Sequence, residues 1–206
     1  MEKGNNSDSK KTLSVKEAAP VWKRKENTLE DYYALPDDIR VELIDGTFYK
    51  MEAPSFVHQR LITALWKQID SFIEKNGGKC VAAIAPLDVR LNRDNKTMVQ
   101  PDVIVICNHD QITKKRLEGA PDFVAEIVSP STASVDYVIK TAKYKEAGVR
   151  EYWILDPEQK RLMIYDFSDN KAPRIQEIKG SADLNIYDGM LMINLDKFAE
   201  IIERGY

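Results

Sequence analysis

The chain has 206 residues, 43% of them hydrophobic, with a formal net charge of −3 and a pI near 5.6. That is enough chain and apolar side chain for one domain with a substantial core. The acidic balance excludes the protein-wide basic field that drives tight nonspecific nucleic-acid binding, and Lys23-Arg24-Lys25, Lys114-Lys115-Arg116 and Lys160-Arg161 read as solvated surface charge.

Residues 1–25 are polar and lysine-rich without periodicity, which predicts a disordered tail before a single domain over 26–206. Thr28 is a good N-cap with Asp31 at the capping-box position, so a short helix should run to about Pro36. Asp45-Gly46 between the alternating runs 40–44 and 47–51 predicts a hairpin. Val57, Leu61, Leu65, Ile69, Phe72 and Ile73 recur at helical spacing and predict a long helix over 55–76, closed by Gly77-Gly78. Strands are expected at 80–85 and 87–91, with Pro86 a bend or edge between them. Further strands are expected at 102–107 and 122–128. A turn at 129–132 should lead into a helix over about 134–147, stopped by Gly148. Strands at 151–155, 161–167, 174–178 and 190–193 follow, then a helix capped by Asp196 and running through Ile202. This order predicts an α/β fold with a mixed central sheet flanked by helices.

Cys80 and Cys107 lie in apolar segments and fit neither a zinc spacing nor a disulfide framework, so two reduced core cysteines are expected. No secretory pattern and no apolar run near the roughly 20 residues that span a bilayer is visible. The expectation is a soluble cytoplasmic protein with no membrane partner.

A few polar residues stand out inside the most apolar stretch. In 122–128, Phe123, Ala125 and Ile127 share one strand face, while Asp122, Val124, Glu126 and Val128 share the other. Glu126 therefore interrupts an apolar face near a strand end, a common place for sites in α/β sheets. A buried carboxylate is costly unless paired or bound to a cation. Asp102 opens another strand after Pro101, and Lys140 lies on the following helix with Tyr144 one turn on. Two acids holding magnesium, with a lysine to orient water and meet developing charge, can hydrolyse a phosphodiester. The Ser129-Pro130-Ser131 turn reads as a helix cap or a phosphate-binding loop, and the aromatics Tyr152, Trp153 and Tyr165 read as core. No Gly-x-Ser-x-Gly elbow and no glycine-rich phosphate loop is present, so serine nucleophile chemistry and a nucleotide cofactor are not expected.

Pro101-Asp102, the stretch 119–132 around Glu126, and Lys140, Tyr144, Gly148, Tyr152-Trp153-Ile154 and Asp156-Pro157 together resemble the putative restriction endonuclease family, a bacterial branch of the PD-(D/E)XK nucleases. Glu42, Asp45-Gly46 and His58 match its upstream pattern, and the resemblance covers roughly 28–200. It implies a restriction-endonuclease-like core with an extra N-terminal hairpin and C-terminal strands. It implies Asp102 and Glu126 as ligands of Mg2+ or Mn2+, Lys140 and Glu42 as further catalytic residues, and His58, Ser129 and Tyr144 as substrate contacts. Asp88 is a weaker acidic candidate. DNA is the implied substrate and a homodimer the implied assembly. The superfamily motif places lysine two residues after the glutamate; here Val128 occupies that position, and Lys140 on the next helix is the substitute. A nuclease fold kept for binding alone, or a hydrolase of another phosphodiester, are the alternatives.

Overall fold

The computed structural model describes residues 26–206 except Asp37, Ser131, Asn170 and Lys171, so the expected tail lies outside the described residues. Thr28 caps α1 (Leu29–Tyr33) through a reciprocal capping box with Asp31. Next come the hairpin β1 (Val41–Ile44) and β2 (Thr47–Lys50), then α2 (Phe56–Lys75), β3 (Val81–Ile84), β4 (Val89–Arg90), β5 (Val103–Ile106), β6 (Leu117–Glu118) and β7 (Phe123–Ile127). A π-helical turn, Val135–Lys140, leads directly into α3 (Thr141–Ala147). The chain ends with β8 (Glu151–Asp156), β9 (Arg161–Asp166), β10 (Arg174–Glu177), β11 (Ser181–Asp183), β12 (Met192–Asn194) and α4 (Asp196–Arg204). Asp45 and Gly46 both adopt positive φ, as a tight hairpin turn requires.

The central sheet is mixed, in the order β10-β9-β8-β7-β5-β3. Only β7 and β8 are parallel, joined by the helical crossover that carries Lys140. The period-2 alternation of β7 separates two cores. Phe123, Ala125 and Ile127 face Trp153, Leu155 and the apolar stripe of α2 (Leu61, Leu65, Ile69), with Phe198 of α4 beyond. Val124 and Val128 face Tyr144, Tyr152, Ile154 and Ile44 of the hairpin. Trp153 and Tyr152 are fully buried, as expected of core aromatics.

Several expectations are corrected. Cys80 and Cys107 are disulfide-bonded. β3 and β5 run antiparallel with Val81 opposite Ile106, so one step further the register sets these cysteines face to face. The strand expected over 87–91 shrinks to β4, which pairs with β6 outside the main sheet. The Ala85–Pro86 peptide is cis. β11 is an additional strand, paired with β12. Leu195, not Asp196, caps α4, and the Asp196 carboxylate accepts from the Gly180 N–H instead. Among the described residues no helix is long and apolar enough to cross a membrane.

Glu151 sits wholly buried on the Trp153 face of β8. Its carboxylate accepts from Trp153 Nε1 at 2.7 Å and from the Ile186 N–H at 3.1 Å, tying the C-terminal segment to the sheet. Burial pushes this carboxyl from 4.5 up to about 7, against the downward pull of those donors. The folded state therefore holds the proton more tightly than the unfolded chain. That stabilisation is fully present below about pH 4.5 and lost as pH rises to about 7, roughly 3 kcal/mol for this group. Urea unfolding across that window should show falling stability, and Glu151→Gln should flatten part of the slope.

Candidate active site

Sheet register explains why the two acids meet. In the antiparallel β5–β7 pair, Val103 lies opposite Ala125, so one step beyond the last pair Asp102 lies opposite Glu126. Both have the parity of the Val124 face. The Ile127 N–H donates to Asp102 Oδ2 at 2.8 Å, and the Asp102 N–H approaches Glu126 Oε2 at 3.4 Å. From the start of α2, His58 Nε2 stands 3.2 Å from the same Asp102 oxygen.

Lys140 comes from the crossover. Its Nζ lies 2.8 Å from Glu42, 2.9 Å from Glu126 and 3.3 Å from Asp136. Asp136 sits one turn earlier on the π-helical segment, whose widened turn brings both side chains inward. The Asp136 carbonyl accepts from the Tyr152 hydroxyl at 3.1 Å, which fixes that turn against the sheet. Glu42 arrives because Ile44, on its face of β1, packs into the second core. Its other oxygen accepts from the Gln100 N–H at 2.8 Å. Lys143 adds an ion pair to Asp45 at the hairpin turn, 2.8 Å. Tyr144 completes the cluster by donating its hydroxyl to Glu126 Oε1 at 2.7 Å.

Glu42, Glu126, Asp136 and Lys140 are each no more than 4% exposed. Burial raises the Glu126 carboxyl well above its usual range, offset by Lys140 and reinforced by the neighbouring acids. Asp136 is raised for the same first reason. Burial opposes the charge on Lys140, yet Glu126 and Glu42 outweigh it and hold the ammonium well above its ordinary value. Burial also lowers His58, but the hydrogen bond and charge of Asp102 more than compensate, so its net shift is upward. Three carboxylates (Glu42, Glu126 and Asp136) thus share one lysine ammonium at the floor of a cleft of about 890 Å³, with Asp102 beside them paired to His58.

That excess of negative charge, with Asp102 and Glu126 side by side, is a donor set that fits a hard divalent cation. Among the described residues no three His, Cys, Asp or Glu side chains form a ready-made cage. Magnesium needs none, because it keeps most of its waters and takes one or two carboxylates.

A profile of the Uma2 family, described as putative restriction endonuclease, matches residues 29–194. The chain belongs to the Uma2 family. Its fold is similar to that of a putative nuclease of DUF820 from Anabaena variabilis, with a TM-score of 0.70 and 16% identity over 85% of this chain and 98% of that one. No curated protein matches.

In this Uma2 chain the structure brings together Glu42, His58, Asp102, Glu126, Lys140 and Tyr144. Tyr144 is fully buried behind Glu126, so it touches the acid and not the open cleft. Ser129 lines the cleft, its hydroxyl 3.1 Å from that of Thr132 in the turn after β7. Asp88 stands apart, bound by Tyr32 and Gln100, where it anchors α1. Asp136 was not singled out by sequence, although an Asp four residues before Lys140 was a readable signal for a shared face. Tyr144→Phe should cost about 2 kcal/mol of stability, the worth of a buried hydrogen bond to a charged group, and this can be read by urea unfolding.

Proposed function

We propose that this chain is a metal-dependent endonuclease that hydrolyses DNA phosphodiester bonds at the Asp102–Glu126 site. One observation carries the reading: two opposed carboxylates on one sheet face, with the Lys140 ammonium 2.9 Å from Glu126. Asp102 and Glu126 would hold Mg2+ or Mn2+, which when bound neutralises phosphate charge and activates water. Lys140 orients the attacking water and meets the negative charge that develops on the phosphate. Glu42 and Asp136 fix the ammonium, Tyr144 fixes Glu126, and His58 orients Asp102. Ser129 lies on the cleft wall, within reach of a bound strand. The N-terminus of α2 opens into the same cleft, and its first-turn N–H groups favour an anion there. Cutting both strands of a duplex at one place calls for two such sites, so the matching assembly is a homodimer. Membership of a family described as putative restriction endonucleases supports this reading.

Calorimetric titration with Mn2+ tests the metal site. The wild type should bind, and Asp102→Asn/Glu126→Gln should not. Failure of the folded wild type to bind Mn2+ or Mg2+ would remove the metal from the proposal.

A further inference from the structure

The geometry points to Arg40 as the contact for a backbone phosphate next to the one that is cut, which makes the β1–β2 hairpin the wall along which a nucleic-acid strand runs. This inference rests on the nuclease reading above. Arg40 precedes β1 by one residue and Glu42 by two, so it shares the Glu42 strand face. Glu42 reaches the floor of the cleft, while Arg40 is exposed and lines the same cleft. Two strand residues span about 6.6 Å, a step comparable with that between neighbouring phosphates of one strand. The Arg40 backbone is fixed, because its carbonyl accepts from the Met51 N–H at 3.0 Å.

Among the described residues Arg40 is the arginine that both lines the cleft and lacks a carboxylate partner; Arg60 is unpaired too but lies outside the lining, and Lys50 adds a second unpaired cation on the same hairpin. Arg90 and Arg116 pair with Glu118, Arg150 with Asp122, and Arg174 with Asp183. Arg40 has no carboxylate within 4.0 Å among the described residues, although Glu52 and Glu158 also line the cleft. A guanidinium left free beside an acidic site offers a planar fork of donors that matches phosphate. Strand parity thus gives one hairpin two tasks: Glu42 holds the catalytic ammonium and Arg40 holds the substrate.

Binding of fluorescein-labelled DNA, duplex and single strand, can be followed by anisotropy across a salt series with Ca2+ present. Wild type, Arg40→Ala, Arg40→Lys and Lys197→Ala are compared, the last on α4 as a control for charge alone. Arg40→Ala should weaken binding about tenfold and reduce the salt slope by about 0.9 on duplex or 0.7 on single strand. Arg40→Lys should restore the slope and only part of the affinity, and Lys197→Ala should match wild type. Mn2+ affinity and melting temperature should be unchanged in Arg40→Ala, which separates lost contact from lost fold. Wild-type affinity and slope in Arg40→Ala, from a protein that binds and cuts DNA, would overturn this inference and leave the nuclease reading standing. A wild type that neither binds nor cuts DNA would remove both.

Discussion

Replacing either member of the acid pair should stop cleavage while leaving a folded protein. Glu126→Ala and Asp102→Ala are each expected to lower metal-dependent DNA cleavage by about 10³-fold, the scale of losing a metal ligand together with the charge stabilisation it supports. The folds should survive for different reasons. Removing Glu126 relieves a buried excess of negative charge, and Lys140 keeps Glu42 at 2.8 Å and Asp136 at 3.3 Å. Removing Asp102 leaves the Ile127 N–H without its acceptor, a cost of about 1–3 kcal/mol. Asp102→Asn should recover that stability without recovering cleavage. Cleavage rates beside urea unfolding curves check both halves.

The second large effect belongs to Lys140, and it should strike stability as well as activity. This ammonium is the shared counter-charge for Glu42, Glu126 and Asp136, all buried. Breaking a buried ion pair by removing one partner costs about 3–5 kcal/mol. Lys140→Met should therefore lower the melting temperature by on the order of 10 °C and abolish cleavage. Lys140→Arg keeps the charge but replaces a compact ammonium with a wide planar fork. It should recover much of the stability and little of the activity. Full activity in Lys140→Arg would reduce the lysine to a structural counter-ion.

The parts of the fold read most readily from sequence are those fixed by local physics. Asp45-Gly46 dictates its hairpin, the Thr28–Asp31 capping box dictates the start of α1, and the spacing of Leu61, Leu65 and Ile69 dictates α2. The parity of β7 shows that Glu126 faces away from Phe123, Ala125 and Ile127. Parity does not reveal what lies across from Glu126. That depends on the β5–β7 register, a long-range property, as does the Cys80–Cys107 link. The disulfide also removes the support that reduced cysteines gave to a cytoplasmic location, because such links are uncommon in that compartment.

Asp136 escaped for another reason. In an ordinary helix an Asp–Lys pair four residues apart reads as solvated charge worth a few tenths of a kcal/mol. Here the π-helical turn and the Tyr152 hydroxyl draw the pair into the protein, where it becomes part of the cluster. Val128, two residues after Glu126 on the same strand face, packs in the core beside Val124 and Tyr144. The long side chain of Lys140 reaches Glu126 from the neighbouring helical segment instead. A sequence pattern specifies the type of group needed near the glutamate, while the fold decides which element delivers it.

Supercoiled plasmid incubated with Mg2+ or Mn2+, wild type beside Glu126→Ala and with EDTA as control, is the decisive assay. Nicking or linearisation by the wild type alone, lost in EDTA, is the predicted result. Cleavage that persists undiminished in folded Glu126→Ala, or a folded, metal-bound wild type that leaves DNA intact, would contradict it.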